Sequence, residues 1–174
     1  MNTLPQTGTW TADPAATTAR FEVSNFLVST VPGTITVTSG TVETDELGRP
    51  TTVSAVLDAR SIATGHPRRD KDLRAPRFFD VDRQPEIRFS GSSAPGVEGG
   101  WTVEGTLLVG RHAAPMTLTV EHRPTDDPGT VAVVARGTVE RSAAGIKAPA
   151  FLIGHRVQVT VHAVLSPVHA EVGS

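Results

Sequence analysis

Alternation of apolar and polar residues is the dominant pattern along this chain. Between residues 156 and 166, valine, alanine and leucine alternate with arginine, glutamine, threonine and histidine. A period of two is typical of β-strands that bury one face. Nine segments rich in valine and threonine predict strands: Gly8–Asp13, Ala19–Thr30, Gly33–Thr44, Thr51–Arg60, Glu86–Ser93, Trp101–Val109, Met116–Arg123, Thr130–Arg141 and Arg156–Ser166.

Clusters of glycine, proline and aspartate separate these segments and predict turns. Such clusters occur at Val31–Gly33, Leu47–Pro50, Pro95–Gly100 and Asp126–Gly129.

One segment, Arg69–Phe89, interrupts the strand pattern and predicts a short helix in a crossover. Pro67 suits a first helical turn, and Pro76 disfavours helix in the residue before it. A helix of about two turns is unstable alone. We therefore expect Leu73 and the pair Phe78–Phe79 to dock it.

The charges of the crossover are mixed, because arginine and lysine alternate with aspartate there. We interpret Arg69 and Asp70 as structural groups that bind loop carbonyls and amides. The remaining charges predict a solvated surface. The alternative is a rim that attracts an anionic headgroup or a membrane surface.

Antiparallel strands with one apolar face either stack as a sandwich or close into a barrel. Long strands joined by short turns favour the barrel, and the helical crossover suits a lid over one open end. We predict an all-β fold: a single antiparallel β-barrel of about eight strands, with one short helix in a crossover. Residues 1–7 are expected to be a flexible N-terminus, 8–166 the barrel domain and 167–174 a C-terminal tail.

Small side chains dominate the apolar faces, with Gly105 and Gly137 in the middle of strands. A barrel filled with such residues leaves space, and a dry cavity suits a hydrophobic ligand. The alternative is that these faces form an ordinary packed core.

Several classes of function lack support in the composition. The chain has no cysteine, which excludes disulfides and thiolate chemistry, and a net charge of −2 gives no reason to expect nucleic acid binding. The six histidines lack metal-binding spacing, and His122 and His162 are expected to face outward. No nucleophile motif is present. We expect no metal, no cofactor and no catalytic residue.

No run approaches the roughly 18 apolar residues of a membrane span, and the N-terminus lacks the features of a signal peptide. We therefore expect a cytoplasmic protein without stable membrane insertion.

A series of ordered motifs resembles the YceI-like, polyisoprenoid-binding family from Gly8 to about Leu165. The matching residues are Trp10–Asp13, Arg20–Val23, Val31–Gly33, Ser61–Gly65, Arg69–Asp70, Leu73, Phe78–Asp80, Pro85–Ile87, Phe89, Val103–Leu107, Arg141, Gly145–Ile146, Ile153–Gly154 and Val157–Val161.

The resemblance implies a lipocalin-like barrel that holds a polyisoprenoid, quinone or similar amphiphile in its lumen, and a possible homodimer. The chain departs from the family at two positions. Asn25 stands where the family often has histidine, and Ile35 where it often has an aromatic residue. Both departures suggest a ligand of different headgroup or girth.

The hypothesis that follows is binding or transport of a hydrophobic, isoprenoid-like molecule. One alternative is a biosynthetic cyclase or isomerase that folds a polyene or polyketide in the same lumen. Another is a fully packed scaffold with a surface function. The candidate ligand-binding residues are Phe21, Val23, Asn25, Ile35, Val37, Leu57, Phe78, Phe79, Ile87, Phe89, Val103, Leu107, Met116, Leu118, Val133, Val159 and Val161.

Overall fold

Eight antiparallel strands close into a barrel, and a short ninth strand continues the position of one of them at one end of the barrel. The structure is a computed structural model that describes residues 7–24, 30–95, 100–146 and 155–168. Its strands are β1 (Thr9–Ala12), β2 (Thr18–Ser24), β3 (Thr30–Thr44), β4 (Pro50–Ala63), β5 (Glu86–Pro95), β6 (Trp101–Val109), β7 (His112–Pro124), β8 (Val131–Glu140) and β9 (Arg156–Pro167). One 3₁₀ turn (Pro14–Ala16) follows β1, and one helix, α1 (Pro67–Arg74), follows β4.

Strands β2 to β9 each pair with the next strand in the chain, and β9 pairs with β2 to close the barrel. The short strand β1 lies before β2 in the same position of the barrel, and it too pairs with β3 on one side and with β9 on the other. There Trp10 lies opposite both Val42 and Pro167. The prediction of a single antiparallel barrel of about eight strands with one short helix is confirmed. Up-and-down closure leaves no strand edge between neighbours unpaired.

The apolar residues of the alternating pattern face the inside of the barrel, and the polar residues face the outside. Along β7, Ala114, Met116, Leu118 and Val120 are buried, and each residue between them is exposed. Successive side chains of a strand point to opposite faces, so this parity places the apolar set in the lumen. The inward residues of all the barrel strands form one core.

The two ends of the barrel differ in how they are closed. At one end, which we call the floor, lie β1, the turns after β3 and β7, and the start of β6. Trp10 and Trp101 are almost fully buried there, at 0% and 3% exposure. At the other end, which we call the mouth, lie the crossover 64–85, the β6–β7 turn and residues 141–146.

An aspartate organises the β3–β4 turn at the floor. One carboxylate oxygen of Asp45 accepts hydrogen bonds from the backbone N–H groups of Leu47 and Arg49, both at 2.9 Å. The Arg49 Nε atom donates to the other oxygen at 2.8 Å. These interactions, the Arg49 backbone N–H foremost, lower the pKa of Asp45. The half-buried carboxylate therefore stays ionised to a lower pH than that of an unpaired aspartate.

Two details of the predicted strands were wrong. The segment Ala19–Thr30 is not one strand, because β2 ends at Ser24 and Thr30 already belongs to β3. Nor does Val31–Gly33 form a turn, since it lies within β3 and pairs with β2. Gly33 is needed there for packing. The Phe21 ring fills the space of a Cβ on Gly33, with Cζ only 2.1 Å from that position.

The sequence suggested that the glycines in the strands leave empty space, but neighbouring atoms fill the space beside them. A Cβ on Gly105 would lie 2.6 Å from the Phe89 ring, and one on Gly137 would lie 2.8 Å from Leu118. The glycines therefore make room for larger neighbouring side chains on the inner wall.

Helix α1 has the predicted extent and the predicted buried face. His66 is its N-cap, accepting a hydrogen bond from the Arg69 backbone N–H at 3.3 Å, and Pro67 is the first helical residue. Asp70 is buried and Leu73 is half-buried against the core. Since two turns of helix are marginal alone, this packing holds the helix in place.

Candidate functional site

The barrel encloses a cavity of about 470 Å³ that runs along its lumen. This volume falls within the range of roughly 300–1,000 Å³ that is typical of small-molecule sites. Every barrel strand contributes inward side chains, and valine is the most frequent of them. Because the walls are almost wholly apolar, the lumen can hold an apolar molecule without leaving it exposed to water.

The lumen brings together sixteen of the seventeen residues that the sequence singled out. They come from strands β2 to β9 and from the crossover after α1. Asn25 lies outside the described residues. That these side chains contact a ligand stays a prediction.

Other lining residues were missed, although the same signal could have found them. Trp101 and Val109 on β6, Val120 on β7, and Ala135 and Val139 on β8 all line the cavity. Each shares the parity of a residue already chosen on its own strand. Extending that parity along β6, β7 and β8 would have predicted these five residues.

The crossover 64–85 covers the mouth and contributes apolar side chains to the lumen. Phe79 and Val81 are buried in the core, while Phe78 is half-buried beside them. Phe78 and Phe79 both line the cavity. Near its end, the crossover packs the Gln84 side chain against Gly110 in the β6–β7 turn.

Backbone acceptors on β4 hold the helix over the mouth. The Arg74 guanidinium donates to the carbonyl oxygens of Arg60 and Ile62, at 3.0 and 2.8 Å. The Leu73 carbonyl accepts from the Phe79 backbone N–H at 3.0 Å. These bonds join the helix to the strand before it and to the loop after it.

Arg69 and Asp70 bind the turn that precedes the helix, as predicted. One oxygen of the buried Asp70 carboxylate accepts from the Thr64 backbone N–H at 2.8 Å and from its hydroxyl at 2.5 Å. Arg69 donates to the same hydroxyl oxygen at 2.8 Å and to the Thr64 carbonyl at 3.2 Å. A single threonine thus anchors the start of the crossover.

Charged residues that line the lumen belong to its mouth half. Arg69, Asp72 and Arg77 come from α1 and the crossover. Arg141 follows the last residue of β8. Arg20 borders the cavity from β2, but its parity is opposite to that of Phe21 and its side chain is exposed. Arg141 is 9% exposed, which sequence reasoning did not anticipate.

The histidines divide between the two faces. His162 is exposed, as predicted. His122 shares the inward parity of Val120 and buries its Nε2 atom, so the expectation that it faces outward was wrong. Within the described ranges, no group of three or more histidine, aspartate or glutamate side chains is placed to hold a metal ion.

Membrane-spanning helices are not among the described elements, since α1 has only eight residues.

Comparison with known proteins agrees with the observed fold. The model of the YceI-like domain matches residues 10–165. The chain belongs to the YceI-like family. Among curated relatives, the UPF0312 protein of Yersinia enterocolitica is 33% identical over 66 residues, which is 38% of this chain. That alignment spans only 34% of the relative's length.

Two solved structures share the fold at low sequence identity. BcnA of Burkholderia cenocepacia has a TM-score of 0.74 at 16% identity, covering 90% of this chain and 99% of its own. A polyisoprenoid binding domain from Saccharophagus degradans, implicated in plant cell wall breakdown, has a TM-score of 0.65 at 15% identity. It covers 90% of this chain and 97% of its own. The resemblance of this sequence to the YceI-like family is thereby confirmed.

Proposed function

We propose that this protein binds a hydrophobic, isoprenoid-like small molecule in the lumen of its barrel. The apolar cavity of about 470 Å³ is the observation that carries the proposal. Burying an apolar chain there gains roughly 25 cal/mol for each Å² removed from water. Fold similarity to a polyisoprenoid binding domain supports the isoprenoid class.

The arrangement of the lumen suits carriage of a molecule along its length. Walls without fixed hydrogen-bonding partners provide little selectivity along an apolar chain, so cavity length would set the limit. The crossover that covers the mouth would then be the element that moves when the ligand enters. Transport, a cytoplasmic location and a homodimer are predictions that accompany this proposal.

Extraction of the purified protein with organic solvent, followed by mass spectrometry, tests the proposal directly. We expect an isoprenoid-like molecule to be released. Adding prenols of increasing length to the extracted protein should raise the Tm. Ligand at about 100 times its Kd contributes about 2.7 kcal/mol, or roughly 5–10 °C at this chain length.

A pair of matched variants locates the binding. Ala135 lines the lumen on β8, whereas Ala113 on β7 is exposed. Ala135→Leu should fill part of the cavity and weaken prenol binding at least tenfold, while Ala113→Leu should leave it unchanged. Absence of any extracted ligand, together with no thermal shift from any prenol, would overturn the proposal. Conversion of an added polyene would instead indicate a catalytic function.

A further inference from the structure

The charged residues that line the lumen are strongly unequal in sign. Three arginines stand at the mouth, Arg69, Arg77 and Arg141, and Asp72 is the single carboxylate among the described lining residues. Apart from Arg20, whose side chain is exposed, the other lining residues are apolar or neutral. An apolar lumen with a basic mouth is complementary to an amphiphile that has an acidic headgroup.

Arg141 is held in a fixed position where the lumen meets the mouth. It continues the inward parity of Val139 on β8, and its side chain is buried. Its Nη1 atom donates to the Ile146 carbonyl at 2.7 Å, and its backbone N–H donates to the His155 carbonyl at 2.8 Å. A guanidinium has five N–H donors in a fixed fork, so it can hold a structural acceptor and an anion together.

Two more guanidinium groups stand at the covering crossover. Arg69 donates to the hydroxyl and carbonyl of Thr64, which are both neutral. Arg77 lies over the Phe78 ring, 5.2 Å from its centroid. Neither arginine forms a salt bridge with any residue that the structure describes. Arg77 therefore has no contacting carboxylate within the described residues, whereas Arg69 shares the Thr64 hydroxyl with the buried Asp70 carboxylate.

We infer that the ligand carries an anionic headgroup, a phosphate or a carboxylate, which binds at the mouth beside Arg141 while its apolar chain lies in the lumen. Arg69 and Arg77 would contact the headgroup from the crossover side. This inference rests on the proposed lumen binding and adds the class of headgroup. Charge-assisted hydrogen bonds from guanidinium to such oxyanions are the strong class of hydrogen bond, and they orient the ligand headgroup outward.

Chain-matched ligands test the headgroup separately from the chain. Farnesol, farnesyl phosphate and farnesoic acid share one 15-carbon chain and differ only at its end. Titration of the extracted protein with each, at low salt, should show at least tenfold tighter binding for one or both acids than for farnesol. The two acids distinguish a phosphate preference from a carboxylate preference.

Variants on β8 provide the matched control. Arg141→Gln should reduce the preference for the acid at least fivefold without weakening farnesol binding, and Arg141→Lys should retain part of it. Arg136→Gln, on the exposed face of the same strand, should leave the preference unchanged. Should Arg141→Gln fail to fold, Arg77→Gln at the exposed crossover should still reduce the preference about threefold.

The outcomes separate this inference from the proposed function. If all three ligands bind equally and no arginine variant changes their affinities, the headgroup inference is wrong while lumen binding stands. If none of the three binds, and no longer prenol does, both fail together.

Discussion

The floor and the mouth of this barrel are closed by different kinds of interaction. At the floor, Trp10 and Trp101 fill the interior, and their exposure is at most 3%. At the mouth, a two-turn helix and its loop lie over the lumen, held by hydrogen bonds to Thr64 and β4 and by the buried side chains of Phe79 and Val81. Close packing resists movement, whereas a few hydrogen bonds near solvent open readily. From this contrast we expect the floor to provide stability and, under the proposed function, the mouth to admit the ligand.

Removing the floor's largest side chain should have the largest effect on stability. Trp10→Ala leaves a cavity in a fully buried site, and we expect a loss of about 3–5 kcal/mol in the free energy of unfolding. Urea denaturation measures it. Leu47→Ala, in the β3–β4 turn at the same end, is the control, since Leu47 is 67% exposed and should change stability by less than about 0.5 kcal/mol. Similar losses in both variants would contradict the assignment of stability to the floor.

Two glycines of the barrel wall should differ in how much an added methyl group destabilises the fold, with the smaller loss at the position nearer the mouth. A Cβ on Gly105 would lie 2.4 Å from the Ser90 carbonyl oxygen, which is backbone, so Gly105→Ala should cost about 1–3 kcal/mol. A Cβ on Gly33 meets the Phe21 ring, which can rotate aside. Gly33→Ala should therefore cost less than about 1 kcal/mol in thermal unfolding.

The same pair separates stability from binding. Phe21 already lines the lumen, so displacing its ring would take up cavity space. Gly33→Ala should therefore weaken prenol binding although it lowers the free energy of unfolding only slightly. The reverse order of thermal stability between the two variants would show that the wall is not stiffer at Gly105.

The smallest global effect is expected at the mouth. Asp70→Ala removes the acceptor of both Thr64 hydrogen bonds, at a local cost of about 1–3 kcal/mol. Hydrogen exchange should therefore accelerate across residues 64–75 while the amides of β1 and β6 keep their protection. The exposed Asp82, in the same crossover, provides the control variant Asp82→Ala. Faster exchange at the floor in Asp70→Ala would indicate that the two ends do not open independently.

Much of the fold was predictable because its dominant signal is local. Inward and outward residues of a strand alternate with every position, and the chain keeps that period through β6, β8 and β9. The same parity identified fourteen lining residues on the strands without any knowledge of distances, and the other two, Phe78 and Phe79, came from the crossover. The short helix was predictable from Pro67 and Pro76, which limit it from both sides.

The errors share one cause, which is that packing partners distant in the chain decide the outcome. Val31–Gly33 has the composition of a turn, but pairing with β2 and the Phe21 ring make it a strand. His122 has a polar side chain on an inward position of β7, and residue type alone suggested the outside. Neither neighbour is visible within a local window of sequence.

Sequence alone determined the strands, their inward faces and the single crossover, because each depends on residues a few positions apart. Tertiary structure decided which strands meet, where Trp10 and Trp101 fill the floor, and that Arg141 is buried beside the mouth. Barrel closure brings residues more than a hundred positions apart into contact, as with Phe21 and Val159. Such contacts exist only once the whole sheet has closed.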